Sequence, residues 1–180
     1  EFVVVISHAK WKELLEDPEH PLQNRPVQSA YPPGSVFKLV VGALALESGT
    51  MKPSTTVFCS GKHKLGQREF RCWNKGGHGI TDFRKSLRES CDVYYYQVGE
   101  RLGVNAISDY ATRCGFGVKT GVELPHERAG NMPTAEWKLS RMGEKWQGGE
   151  TLNFAIGQGY TLTTPMQVAR FVSALVNGGK

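Results

Sequence analysis

Tyr31-Pro32-Pro33-Gly34-Ser35-Val36-Phe37-Lys38 is the stretch on which the reading of this chain turns. Two prolines and a glycine force a sharp approach, and an apolar run at helical spacing follows at once. Ser35 stands at the predicted start of that helix, and Lys38 lies three residues on. Positions i and i+3 share a helical face, so the hydroxyl and the amine are expected to meet. A serine hydroxyl is a weak nucleophile until a base takes its proton, and a lysine is such a base when its surroundings disfavour its charge. The helix N-terminus adds partial positive charge where an oxyanion would form. S-x-x-K also occurs by chance on surface helices. What sets this copy apart is the rigid turn that isolates the serine.

Working outward, the helix is predicted over residues 35–48 with Gly49 as its stop. Phe37, Val40, Val41 and Leu44 make it apolar nearly all round, which calls for burial on most sides. Upstream, a β-branched run at 3–6 reads as extended or strand. Ser7 is placed to cap a helix over 8–16 whose apolar side is Trp11, Leu14 and Leu15. Asp17-Pro18 ends it, and a proline-punctuated loop follows to Pro26. Downstream, 55–58 reads as a strand leading into a basic excursion, with 69–73 returning as its partner, then a flexible turn at Gly76-Gly77-His78-Gly79. Helices are expected from Thr81 or Asp82 to Glu89, over 92–102 and over 105–114. Gly115 and Gly117 break the chain, and Thr134 caps a further helix through Met142. Residues 148–159 read as a glycine-rich loop. Thr164, Pro165 and Gln167 form a capping box with proline at the first helical position, opening a last helix that ends at Asn177-Gly178. The chain is helix-rich with few strands.

With 180 residues, 39% of them hydrophobic and 22% charged, the sequence suits one globular domain or part of a larger one. A net charge of +5 suits an anionic partner without selecting one. The local basic cluster of Lys62, Lys64, Arg68, Arg71 and Lys75 reads as a solvated loop. Nucleic acid is excluded as a partner because no binding motif accompanies the charge. The longest apolar run, residues 39–46, is far too short to span a bilayer. No signal peptide is visible, and both ends read as cuts from a longer chain.

The second constellation is Ser90-Cys91-Asp92, followed by Val93-Tyr94-Tyr95-Tyr96-Gln97-Val98-Gly99. Alone, S-x-D says little. Downstream of Pro-Pro-Gly-Ser-x-x-Lys it resembles the penicillin-binding proteins, whose site combines S-x-x-K, S-x-N or S-x-D, and K-T-G. Gly77-His78-Gly79, Arg128-Ala129-Gly130-Asn131-Met132-Pro133-Thr134, Ile156-Gly157-Gln158-Gly159-Tyr160 and Thr164-Pro165-Met166-Gln167 extend the likeness over nearly the whole chain. They resemble the class B transpeptidases, and among these the penicillin-binding protein 2 group of cell elongation. The resemblance implies an α/β (α+β) serine transpeptidase or β-lactamase-like domain. Residues 1–180 would be mainly its helical part, with few short strands and most of the central antiparallel sheet lying outside.

By the same resemblance, Ser35 is the acylated nucleophile, Lys38 its general base and Ser90 the proton relay. Asp92 holds the substrate-binding place where many relatives carry asparagine. An aspartate accepts a hydrogen bond but donates none unless protonated. The implied activity is peptidoglycan DD-transpeptidation on D-Ala-D-Ala stem peptides, with β-lactams acylating the same serine. A membrane glycan polymerase is the implied partner. The implied location is the periplasmic side of the inner membrane, anchored there in the full-length protein. A DD-carboxypeptidase or serine β-lactamase, with water as acceptor, and a non-catalytic zinc-stabilised scaffold are the alternatives. Lys119-Thr120-Gly121 has the letters of the third motif but lies in a different family segment, so it is read as structural. The functional copy is expected on a strand beyond Lys180, together with half of the oxyanion hole. Since one lost oxyanion donor costs about 10²–10³ in rate, residues 1–180 alone are expected to be incompetent.

Of the four cysteines, Cys59, Cys72 and Cys91 combine with His78 in the pattern Cys59-x12-Cys72-x5-His78-x12-Cys91. Cys3His suits tetrahedral zinc, although the C-x-x-C knuckle is missing. A Cys59–Cys72 disulfide in an oxidising compartment is one competitor. The other is that Cys91 and Cys114 are merely small buried apolar residues. The resemblance favours a structural Zn²⁺ and implies no cofactor for catalysis.

Overall fold

A computed structural model describes residues 5–179. Ser7 accepts a hydrogen bond from Lys10 N and caps α1 (His8–Glu16), as expected. Its apolar side does not enter the core, because Trp11 and Leu15 remain 43% and 58% exposed. The run at 3–6 falls largely outside the described residues, and Val5 and Ile6 belong to no element. Within the expected loop lies a short helix, α2 (Arg25–Gln28), with Pro26 in its first turn and Val27 buried.

The central helix begins differently from the prediction. Gly34–Phe37 is a 3₁₀ turn, and the α-helix α3 (Lys38–Glu47) starts only at the lysine. The tighter turn follows from the approach: Gly34 N–H is tied back to Gly157 O at 2.9 Å. Beyond it, Val40, Val41, Gly42, Leu44 and Ala45 are buried, as an all-round apolar pattern requires.

The excursion pairs otherwise than expected. β1 (Val57–Cys59) lies antiparallel to β4 (Gly79–Thr81), while β2 (Lys62–Leu65) pairs with β3 (Arg68–Arg71). The segment 69–73 therefore returns onto β2 rather than onto β1. The two-residue turn Gly66-Gln67 closes that inner hairpin, and β4 completes the outer pair with β1. The five basic residues of the cluster are all exposed, as a solvated loop requires, and Lys62 pairs with Glu69 at 2.7 Å.

Asp82 caps α4 (Phe83–Arg88), and Cys91 precedes α5 (Asp92–Leu102), whose Val93, Tyr94, Tyr95, Tyr96 and Val98 are buried. α6 (Val104–Arg113) follows across Gly103, and Thr134 caps α7 (Ala135–Met142). The glycine-rich loop predicted at 148–159 is in fact helical over most of its length: α8 (Gly148–Ala155) carries a capping box in which Glu150 accepts from Gln147 N at 2.7 Å. Local glycine content argued against a helix, and tertiary packing overrode it. Lys138 of α7, almost fully buried, holds Glu150 at 2.7 Å and Glu144 at 3.2 Å. Leu152, Phe154 and Ala155 join the core, with Phe154 stacked on Phe37 at 5.3 Å between ring centroids. α9 (Pro165–Val176) has the predicted capping box of Thr164 and Gln167. Among the described residues no helix is long and apolar enough to cross a membrane.

The Lys119-Thr120-Gly121 turn is held by a carboxylate. Glu127 accepts from Thr120 Oγ1, from Thr120 N at 2.6 Å and from Gly121 N at 3.2 Å. The Thr120 hydroxyl first, and those two N–H groups, hold the Glu127 carboxyl below the usual range. The donors of Thr120 and Gly121 are spent on their own loop.

Two outcomes follow from these contacts. Gly99 of α5 faces α8 so closely that a Cβ there would lie 2.5 Å from Ala155 Cβ. Overpacking of about 1–3 kcal/mol should outweigh a helix-propensity gain of up to about 1 kcal/mol. Gly99→Ala is thus expected to lower stability in urea unfolding, with Ala155→Gly in the double variant recovering part of the loss. Glu127's depressed pKa contributes stability that is full above its unfolded value of about 4.3 and is lost as pH falls through the lower folded value. The gap in melting temperature between wild type and Glu127→Gln should therefore close on acidification below about pH 4; a gap independent of pH would refute the clamp.

Candidate active site

The turn between α4 and α5 and the turn before α3 together form the site. Ser90 sits with φ +52°, a left-handed conformation that costs a non-glycine residue about 1–2 kcal/mol. This conformation lets its carbonyl and its hydroxyl point the same way, towards Lys38. Lys38, 1% exposed, donates to Ser90 O at 2.9 Å, to Ser90 Oγ at 3.0 Å and to Asp92 Oδ1 at 2.6 Å. The Ser90 hydroxyl in turn donates to Ser35 Oγ at 2.9 Å. The spacing along the sequence predicts the amine of Lys38 against the hydroxyl of Ser35. Instead the lysine reaches Ser35 through Ser90, because Ser90 O, Ser90 Oγ and Asp92 Oδ1 take the three N–H donors of its amine. The four candidate residues Ser35, Lys38, Ser90 and Asp92 thus form one hydrogen-bonded chain.

Ser35 is exposed at the floor of a cleft whose walls are Gly34, Ser90, Asp92, Trp73, Ile156 and Gln158. The wall from the α8–α9 connection is pressed against the serine turn. Gly157, at φ +72°, comes so near that a Cβ would lie 2.2 Å from Gly34 O. Trp73 and Gln158 are not among the site residues expected from the sequence, although Gln158 lies in the Ile156–Tyr160 segment that carries the family likeness. An aromatic beside a cysteine carries no sequence signal of a cleft wall, and the Gly-Gln-Gly segment signals the family without saying which of its side chains faces the cleft. None of Lys119, Thr120 and Gly121 lines the cleft.

Behind the Ser90 turn, Cys59, Cys72, His78 and Cys91 converge, all four buried, with their donor atoms within 4.8 Å of one another. His78 Nδ1 lies 3.5 Å from Cys59 Sγ and 3.6 Å from Cys72 Sγ. Zinc bonds of about 2.3 Å to sulfur and about 2.0 Å to nitrogen in a tetrahedron put S and N about 3.5 Å apart, so the donor set fits that ion. Burial, with the Cys59 and Cys72 thiols beside it, pushes the Cys91 thiol up to about 12. All four cysteines are free thiols, so the Cys59–Cys72 disulfide is not formed, and Cys114 lies apart, half-buried against the core.

Comparison with known proteins identifies the family. The penicillin binding protein transpeptidase domain family matches residues 5–180. The peptidoglycan D,D-transpeptidase MrdA of Haemophilus influenzae is 42% identical over 99% of this chain, and the chain spans only 28% of the length of that protein. The PBP2 structure of Pseudomonas aeruginosa in complex with WCK 5153 superposes with a TM-score of 0.92 at 35% identity, over 97% of this chain and 40% of that one. PBP2 of Helicobacter pylori, solved in complex with MreC, gives 0.90 at 42% identity, over 96% of this chain and 33% of that one. The chain belongs to the penicillin-binding protein transpeptidase family, of which it carries a helix-rich part with two short sheets.

Proposed function

We propose that the protein to which residues 1–180 belong cross-links peptidoglycan as a DD-transpeptidase, with Ser35 as its acylated nucleophile. The observation that carries this reading is the continuous chain Lys38 Nζ–Ser90 Oγ–Ser35 Oγ, opening into the cleft. Ser35 Oγ attacks the carbonyl carbon of the penultimate D-alanine of a stem peptide. Its proton passes to Ser90 Oγ while the Ser90 proton passes to Lys38. Nζ uses three N–H bonds on Ser90 O, Ser90 Oγ and Asp92 Oδ1, so it must give up one proton before it accepts another. Asp92 Oδ1, 2.6 Å away, is the acceptor within reach. Collapse of the tetrahedral intermediate breaks the peptide bond, and the relay run backwards delivers the proton to the departing D-alanine amine. An amine on a neighbouring stem peptide then attacks the acyl-serine, its proton leaving along the same chain. A β-lactam carbonyl enters the first half of this sequence and acylates Ser35 in the same way.

The reading includes a site on the periplasmic face of the inner membrane and a membrane glycan polymerase as partner, since cross-linking consumes newly made strands. It also includes a structural Zn²⁺ held by Cys59, Cys72, His78 and Cys91. A closed four-ligand set leaves no place for a reacting water, so this ion would brace the turn that carries Ser90 and take no part in acylation.

Fluorescent penicillin tests the acylation centre in the full-length protein. Ser35→Ala should abolish labelling, and Lys38→Met should slow it by about 10²–10⁴, the range for a general base. Equal labelling of Ser35→Ala and wild type would overturn the assignment. Elemental analysis of protein purified without added metal should find one zinc per chain; a ratio near zero, with Cys59 and Cys72 disulfide-linked, would sink the metal proposal.

A further inference from the structure

Ser90 occupies a strained backbone conformation, yet its hydroxyl must stand between Lys38 and Ser35 to within a few tenths of an ångström. Something has to hold the turn there. Lys38 supplies one tie, through its bonds to Ser90 O and Asp92 Oδ1. The other comes from a residue outside the relay. Trp73 N–H donates to Asp92 Oδ2 at 3.0 Å, so the carboxylate is gripped by Lys38 on one oxygen and by Trp73 on the other. The indole Nε1–H is shared between Glu89 O at 3.1 Å and Ser90 O at 3.1 Å. Ser90 O thus receives Lys38 from one side and Trp73 from the other. The indole stands against His78, 5.4 Å between ring centroids in an edge-on contact, and is 65% exposed towards the cleft. A large aromatic that exposed gains little from burial. Its two N–H groups, however, are both committed, and every one of their partners lies between positions 89 and 92.

We propose that Trp73 is a positioning residue for acylation. Its two N–H groups clamp both ends of the Ser90–Asp92 turn and so align Ser90 Oγ with Ser35 and Lys38. The proposal rests on the reading of Ser35 as the acylated nucleophile. The indole N–H is the part of the clamp that a side-chain change can remove, since the backbone N–H survives any substitution except proline. Without it, Glu89 O and Ser90 O lose a donor near the protein surface, and the left-handed turn is free to relax. The hydroxyl relay lengthens while the fold and the Cys/His cluster stay as they are.

The test uses the full-length protein and two changes. Trp73→Phe removes the donor and shortens the ring. Replacement of Trp73 by 3-benzothienylalanine, which puts sulfur in place of the N–H, keeps ring size and stacking. Stopped-flow acylation by penicillin separates the non-covalent dissociation constant from the acylation rate constant. Both variants are expected to acylate about tenfold more slowly at saturating penicillin, the loss of one neutral hydrogen bond expressed in the transition state. For the benzothienyl protein the dissociation constant should move less than twofold, with metal content and melting temperature unchanged. An acylation rate constant within twofold of wild type in the benzothienyl protein would overturn the proposal. So would a loss that tracks a lowered melting temperature, which would make Trp73 merely structural. Failure of the underlying reading is told apart by the wild type, which would then show no adduct on Ser35.

Discussion

Lys38 carries its charge-bearing atom into the interior and finds there three oxygens, all supplied by the turn that opens α5. A buried cation left unpaired costs several kcal/mol, and a paired one is tolerable only when geometry and hydrogen bonds are complete. That requirement couples α3 to α5 more tightly than apolar contact alone could. Apolar surfaces slide past one another at modest cost, whereas three hydrogen bonds to one nitrogen fix distance and rotation together. The site is accurate because its central group is one the fold cannot leave unsatisfied.

Small residues line the contacts that bring α8 and the chain leaving it against α5 and the serine turn. α8 approaches α5 at Gly99 and Ala155, and the chain leaving α8 meets the serine turn at Gly157 and Gly34. These contacts bring the cleft wall of Ile156 and Gln158 up to Ser35. Phe154, at the end of α8, stacks on Phe37, which lies between Ser35 and Lys38 in sequence. Ser35 is therefore held from below by a core aromatic and from the side by backbone, with its hydroxyl left open to the cleft. Functional groups supported in this way need little motion to reach a productive geometry.

On the far side of the Ser90 turn, Cys91 points into the Cys/His cluster while its neighbours Ser90 and Asp92 point into the site. Cys72 and Trp73 divide in the same manner, one side chain inward to the sulfurs and the other outward to the cleft. Two short segments thus serve two sites at once. Whatever occupies the cluster is linked to the position of the Ser90 hydroxyl through no more than a peptide unit.

Much of this was legible in the residues themselves. Ser7, Asp82, Thr134 and Thr164 announced helix starts, because capping is a contact within one turn and needs no tertiary information. The reading of Lys119-Thr120-Gly121 as structural rested on the family resemblance, and Glu127, seven residues on from Thr120, accepts from Thr120 and Gly121. The four site residues and the four cluster residues could be singled out from their types and order. What the chain alone could not decide was set by long-range packing: that 148–155 is helical despite its glycines, that 68–71 pairs with 62–65, and that α1 leaves its apolar side uncovered among the described residues. The bond from Lys38 to Ser35 through Ser90 belongs to the same class. Spacing along a helix tells which side chains share a face, but the direction of a hydroxyl 55 residues away depends on where two turns are pressed together.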